Sequence, residues 1–176
     1  MTQMMSGKTV TVFGTSRASA GDAVYSIALE TGRLLARAGF AVANGGYGGT
    51  MLAAAQGASE AGGEVIGVTC SAFRARANKY VTREIVTESL DERLDMLIEL
   101  GQAYVALPGG TGTLLELAKV WELRNKGFLE TDKPIILVGE FWKPLVELLA
   151  TDDPDCGRYV ELADDPEQAV SLIRDH

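Results

Sequence analysis

Histidine is almost absent from this sequence, since the only one is His176. A Ser-His-Asp or Cys-His mechanism needs an imidazole beside its nucleophile. With histidine only at the last position, both catalytic mechanisms are excluded within one chain. Zinc sites also draw on clustered histidine and cysteine, and neither cluster is present. Cysteine is scarce too, because Cys70 and Cys156 stand alone without a CxxC pair. These absences predict no metal site, no disulfide framework and a reducing, cytoplasmic location.

Long apolar runs and an excess of positive charge are missing as well. No run approaches the ~18 apolar residues of a membrane-spanning helix, so no membrane association is predicted. Residues 1–7 lack the pattern of a secretory signal, and we interpret them as a flexible N-terminus. Acidic residues outnumber basic ones by 24 to 16, giving a net charge of −8. Sequence-independent binding to nucleic acid needs clustered Lys and Arg, so no nucleic-acid partner is expected.

Apolar residues and glycine are abundant, and short β-rich runs alternate with helical patterns. Hydrophobic residues make up 47% of the chain, which is enough for the core of one domain over residues 8–176. This alternation predicts a single α/β domain with a doubly wound parallel sheet and helices on both faces. Strands are predicted at 9–13, 41–43, 65–68, 84–87, 103–107, 135–138 and 159–162, and helices at 22–38, 50–61, 90–100, 113–126, 143–150 and 166–173.

Three unusual loops each follow a predicted strand and precede a predicted helix. Ligands of such folds bind beyond the carboxyl ends of the strands, so the three loops predict one shared site. The candidate binding residues are Thr15 and Ser16 in the first loop, Gly45, Gly46, Gly48, Gly49 and Thr50 in the second, and Gly109, Gly110, Thr111, Gly112 and Thr113 in the third.

The third loop, Pro108-Gly109-Gly110-Thr111-Gly112-Thr113, favours phosphate binding. A helix start offers unpaired N–H groups and a positive dipole end, and glycine lets an anion approach them closely. A plain tight turn with a capping box from Thr113 to Glu116 is the structural alternative. The chain contains no GxxxxGK[ST] segment, and no GxGxxG follows the first strand, so neither a P-loop nor a dinucleotide fingerprint is present.

Two charged residues lie on apolar helix faces. Arg93 falls between Met96 and Leu97 on the apolar side of its predicted helix, about one turn after a capping pattern that begins at Ser89. An arginine there must either extend to solvent or meet an anion. Glu116 shares a helix side with apolar residues one turn beyond the phosphate loop. It could have a raised pKa or act as a base, or the two charges could form a structural ion pair.

These residues resemble the LOG (Lonely guy) family, often labelled "possible lysine decarboxylase". The family's PGGxGTxxE motif occurs without a mismatch at residues 108–116, and the arginine of its MxxRK segment falls on Arg93. The segment Gly45-Gly46-Tyr47-Gly48-Gly49-Thr50-Met51 is similar to the family's GGGxxGLM. The resemblance covers nearly the whole chain.

The resemblance implies a Rossmann-like fold, a homodimer or higher homo-oligomer, and no cofactor. It also implies a phosphoribohydrolase, which cleaves the N-glycosidic bond of an AMP-like nucleoside 5′-monophosphate to a free base and ribose 5-phosphate. In plants and several microbes the released bases are cytokinins. Arg93 and Glu116 would be the catalytic pair, with the third loop holding the phosphate. Nothing here resembles a pyridoxal-phosphate lysine site.

The chain departs from the family pattern at two positions near the arginine. The lysine that follows it in the family is Leu94 here, and the methionine three residues before it is Leu90. The same motif and fold also resemble the molybdenum cofactor carrier proteins, which bind a phosphorylated pterin without needing to hydrolyse it. A non-catalytic nucleotide or cofactor carrier is therefore the alternative function, and Leu94 bears on hydrolysis more than on binding.

Overall fold

Strands and helices alternate through residues 7–176, the part of the chain that the computed structural model describes. The strands are β1 (Thr9–Phe13), β2 (Ala41–Asn44), β3 (Val65–Cys70), β4 (Arg83–Thr87), β5 (Ala103–Ala106), β6 (Ile135–Val138) and β7 (Glu161–Ala163). The α-helices are α1 (Ala23–Arg37), α2 (Thr50–Glu60), α3 (Leu90–Leu100), α4 (Thr111–Asn125), α5 (Lys143–Leu149) and α6 (Pro166–Asp175). Short 3₁₀ helices span Ser71–Phe73 and Cys156–Tyr159.

All strand pairs are parallel, and the sheet order is β4-β3-β2-β1-β5-β6-β7. Val10 in the central strand β1 pairs with Val42 on one side and with Ala103 on the other. Strands β2, β3 and β4 are therefore added in sequence on one side of β1. Helix α3 then crosses back, and β5 pairs with β1 on the opposite side. The loops after β1 and β5 diverge at this reversal, which opens a crevice at the carboxyl edge of the sheet.

Apolar residues bury both faces of the sheet. Val10 and Val12 of β1 pack with α1, α2 and α6, whereas Phe13 packs with α3, α4 and α5 on the other face. Successive side chains of a strand point to opposite faces, and strands covered on both sides read as near-continuous apolar runs. The predicted doubly wound α/β class, with helices on both faces, is confirmed.

Several predicted boundaries were wrong by one or two residues. Helix α4 begins at Thr111, two residues before the predicted start, because first-turn residues need no amide partner and so tolerate Gly112. The last strand lies at Glu161–Ala163, because residues 156–159 form a 3₁₀ helix whose Cys156 carbonyl accepts the Trp121 indole N–H at 3.1 Å. Except for Gly7, the predicted flexible N-terminus at 1–7 lies outside the described residues.

Residues 7–176 show neither a membrane-spanning helix nor a metal-binding cluster. No helix in this part of the chain combines the length and apolar content needed to cross a membrane. The same residues contain no group of three or more His, Cys, Asp or Glu side chains arranged to hold a metal ion.

Candidate functional site

A cleft of about 750 Å³ opens at the carboxyl edge of the sheet, at the crevice beside β1. Its walls come from the loops after β1, β2, β3 and β5 and from the first turn of α3. The cleft brings together residues that are far apart in the sequence, including both charged residues singled out above. Of the predicted site residues, those that line it are Thr15, Ser16, Gly45, Arg93, Gly110, Thr111, Gly112, Thr113 and Glu116.

The first turn of α4 forms one end of the cleft. Its N-cap is Gly110, and no side chain caps it, so the capping box between Thr113 and Glu116, the structural alternative for this loop, is absent. Thr113 lies inside the helix at the third position, and Glu116 turns toward Arg93 instead of reaching back. A Cβ placed on Gly110 or Gly112 would meet no atom within 4 Å. The helix start is therefore bare backbone facing open space, with the N–H groups and dipole that suit an anion.

The other predicted glycine-loop residues support the cleft without lining it. They are Gly46, Gly48, Gly49, Thr50 and Gly109. Gly49 has a φ of 65°, and a Cβ there would lie 2.3 Å from the carbonyl oxygen of Thr15. The Thr50 hydroxyl donates to the same oxygen at 3.0 Å, and the Thr50 amide does so at 2.8 Å. These contacts fix the first loop against the second and so position Thr15 and Ser16.

Arg93 is almost completely buried on α3, with 8% of its surface exposed. The predicted helix start is confirmed, because the Ser89 hydroxyl caps α3 by accepting the Glu92 amide at 3.1 Å. The guanidinium donates from Nε to the Val68 carbonyl at 2.8 Å and from Nη2 to the Gly45 carbonyl at 3.1 Å. These bonds use one carbonyl within β3 and one just after β2, so the backbone of two neighbouring strands fixes the planar donor group at the cleft.

Gly45 is required by this arrangement. A Cβ at this position would lie 1.8 Å from Nη2 of Arg93, so any side chain would displace the guanidinium. Gly45 in the second glycine loop therefore leaves the space that the Arg93 guanidinium occupies.

Glu116 is the carboxylate nearest to the Arg93 guanidinium, with Oε1 at 4.0 Å from Nη1. Its side chain is only 16% exposed. Burial raises the pKa of the Glu116 carboxyl from its ordinary value of 4.5 to about 7, although the neighbouring Arg93 guanidinium acts to lower it. A carboxyl group that titrates near neutral pH can exchange a proton in either direction, which suits general acid–base chemistry.

The sequence did not predict that Tyr47 and Phe73 form an aromatic part of the cleft wall. The rings of Tyr47 and Phe73 lie with their centroids 5.9 Å apart and tilted by 49°, and both line the cleft. The Arg93 guanidinium lies over them at 5.4 Å and 5.5 Å from the ring centroids. Phe73 follows β3, and the rule that ligands gather at the carboxyl ends of strands is the one signal that could have identified it. The remaining lining residues are Val12, Phe13, Gly14, Arg17, Met51, Ala75 and Leu90.

Leu94, where the family has lysine, does not line the cleft. It is 5% exposed and packs in the core between α3 and the sheet. The substitution therefore changes the core behind the cleft and leaves the groups that face a ligand in place.

The buried carboxyl of Glu116 predicts an unusual dependence of stability on pH. Between pH 4.5 and about 7 the folded chain keeps a proton that the unfolded chain has lost, so the free energy of unfolding falls as the pH rises. One pKa unit corresponds to ~1.4 kcal/mol, so the loss approaches ~3 kcal/mol above pH 7. We expect Glu116→Gln to match the wild type near pH 4 and to exceed it by ~2–3 kcal/mol at pH 8.

Urea denaturation of both proteins across this pH range measures the difference. Glu122→Gln, which removes an exposed carboxylate from the same helix, is the control. A stability difference between wild type and Glu116→Gln that is the same at every pH would show that Glu116 titrates normally.

The parallel sheet with its reversal at β1, the bare helix start and the buried Arg–Glu pair define a Rossmann-like protein whose cleft combines a helix N-terminus with a buried charged pair. The sequence profile of the family described as "Possible lysine decarboxylase" matches residues 51–173. The chain belongs to this family, the LOG family.

Named relatives and solved structures extend the comparison beyond the profile. A "Cytokinin riboside 5′-monophosphate phosphoribohydrolase" from Rhodococcoides fascians is 32% identical over 95% of this chain and 89% of its own length. The molybdenum cofactor binding protein from Rippkaea orientalis is 28% identical, covers 97% of this chain and 98% of its own, and superposes with a TM-score of 0.80. The molybdenum cofactor carrier protein from Chlamydomonas reinhardtii is 26% identical over 96% of this chain and 97% of its own, with a TM-score of 0.78.

Proposed function

We propose that this protein is a nucleoside 5′-monophosphate phosphoribohydrolase, which hydrolyses the N-glycosidic bond to a free base and ribose 5-phosphate. The observation that carries the proposal is the buried pair of Arg93 and Glu116 in one cleft with the bare first turn of α4. One part of the cleft suits a phosphate, and the other holds a carboxyl group whose pKa is about 7. The name of the Rhodococcoides fascians relative points to the same reaction.

In this proposal the first turn of α4 binds the 5′-phosphate through backbone amides, and Arg17 adds positive charge at the cleft. Anchoring the phosphate fixes the ribose, so that C1′ faces Glu116. The carboxylate form of Glu116 accepts a proton from the water that attacks C1′, while the electron pair of the C1′–N bond leaves with the base, which takes up a proton from solvent. Arg93 orients Glu116 and offsets negative charge during the step.

The alternative function is a carrier that binds a phosphorylated nucleotide or pterin without hydrolysis. The solved cofactor-binding relatives support it, because they match this chain over nearly its full length. Lysine decarboxylation has no such support, since the cleft combines an anion site with an Arg–Glu pair.

A direct assay separates hydrolysis from carriage. We expect AMP or an N6-substituted AMP to yield free base and ribose 5-phosphate in equal amounts, measured by chromatography and a reducing-sugar assay. Tight binding of every monophosphate tested, with no product from any, would overturn hydrolysis and favour the carrier.

The phosphate end can be tested separately with Gly112→Ala. A methyl group here meets no protein atom, so we expect the unfolding temperature to stay the same or rise slightly. The methyl group would occupy the space that the phosphate needs, and we expect the affinity for AMP to fall by ~10-fold or more, since displaced charge-assisted hydrogen bonds are worth ~1.5–3 kcal/mol each. Isothermal titration calorimetry measures this change when both proteins carry Glu116→Gln, so that AMP is not consumed, and unaltered affinity would mean that the phosphate binds elsewhere.

A further inference from the structure

Phe73 exposes its ring to the cleft, and the proposed hydrolysis gives this ring no role. Its side chain lines the cleft and is 46% exposed, as is that of Leu90, and of the aromatic rings that line the cleft Phe73 is the only exposed one. It ends the 3₁₀ helix after β3, and the next residue, Arg74, has a φ of 51°. A non-glycine residue in this left-handed region is uncommon, and here it closes the turn that presents the ring.

The ring next to Phe73 is fixed in position. The Tyr47 hydroxyl accepts the Cys70 amide at 2.8 Å and donates to the Cys70 carbonyl at 3.2 Å. Tyr47 is therefore tied to the end of β3, and it supports Phe73 from one side. The Arg93 guanidinium lies 5.5 Å from the Phe73 ring centroid, so the ring also borders the charged pair.

We propose that Phe73 recognises the base of the bound nucleotide by stacking against its planar face. This inference rests on the proposed function, because it assigns the second half of the ligand whose phosphate lies at α4. An exposed ring in a cleft gains by covering its apolar face with another flat ring, and stacking on an aromatic side chain tolerates any base. A base on Phe73 lies beside Arg93, so its glycosidic bond falls near the pair that acts on it.

Ribose 5-phosphate provides the discriminating ligand because it carries the phosphate and sugar but no base. With Glu116→Gln in every protein compared, so that AMP is not consumed, we expect the otherwise wild-type protein to bind AMP more tightly than ribose 5-phosphate. Phe73→Ala should weaken AMP binding by ~10- to 100-fold, the range expected for the loss of one base–aromatic stack, and change ribose 5-phosphate binding by less than ~2-fold. Phe73→Tyr keeps the flat ring and should restore AMP binding.

Phe128→Ala is the matched control, since Phe128 is 80% exposed and does not line the cleft. It should leave both dissociation constants unchanged. Equal weakening of both ligands by Phe73→Ala would reveal a structural role, and no effect on either would show that the base binds elsewhere; both results overturn the inference while leaving the hydrolase intact. If wild-type protein binds neither ligand, the proposed function fails, and the inference fails with it.

Discussion

Glu116→Gln is expected to lower kcat for nucleotide hydrolysis by ~10³-fold or more, because the amide cannot accept the proton of the attacking water. The side chain keeps its size and stays beside Arg93, so the cleft is preserved. We expect the dissociation constant for AMP to change by less than ~5-fold, since the phosphate contacts lie at the first turn of α4. Single-turnover kinetics with calorimetric binding separates the two effects.

The pH profile of the wild type gives an independent check on the same residue. Because burial raises the pKa of Glu116 to about 7, kcat/KM should rise with pH through that value and level off above it. Glu122→Gln, on the exposed side of α4, should behave like the wild type. Retention of more than a tenth of the wild-type kcat in Glu116→Gln would exclude this residue as the proton acceptor.

Arg93→Met is expected to damage both the fold and the reaction. The Val68 and Gly45 carbonyls lose their donors, and the buried Glu116 loses its nearby positive charge. The free energy of unfolding should fall by ~2–4 kcal/mol, and kcat/KM by ~10²- to 10³-fold, as for removal of other buried charged donors. The pKa of Glu116 should rise further, because Arg93 is the group that lowers it.

Arg93→Lys separates charge from geometry. An ammonium keeps the positive charge, but it cannot reproduce the planar fork that reaches both carbonyls. We therefore expect partial recovery of the Glu116 pKa, read from the pH profile, and little recovery of stability. Arg76→Met, at an exposed position near the cleft, is the control for losing an arginine. Full activity in Arg93→Met would assign Arg93 a purely structural role.

The fold could be predicted from the sequence because its signals are local and repeated. Buried strands such as β6 read as continuous apolar runs, and the Ser89 cap marked the start of α3 within one residue. The ends of helices and strands were harder to predict where glycine or a tertiary contact determines the boundary. The predicted start of α4 was two residues late, because Gly112 in its first turn is a poor helix former. The predicted start of β7 was two residues early, because residues 156–159 form a 3₁₀ helix whose Cys156 carbonyl accepts a hydrogen bond from Trp121.

The site residues could be predicted where a charged side chain falls on the apolar face of a predicted helix. Arg93 and Glu116 stood out because each places a charge on an apolar helix face, and the structure brings them within 4.0 Å of each other. Phe73 violates no such pattern, and its exposure emerges only once β3 and the second glycine loop are assembled. The capping box from Thr113 to Glu116, which was the structural alternative for the third loop, is absent for a related reason: a side chain can cap a helix only where the helix begins, and the N-cap of α4 is Gly110.

The raised pKa of Glu116 also bears on how such a protein could change its role over evolutionary time. The substitution expected to abolish the proposed hydrolysis, Glu116→Gln, is also the one expected to strengthen the fold at alkaline pH. Selection for stability alone would therefore favour an inactive cleft that still binds its proposed ligand. A screen for heat resistance run at pH 8 without an activity filter should accordingly enrich changes at position 116. A hydrolase and a carrier on this scaffold could thus be separated by one mutation that needs no compensating partner.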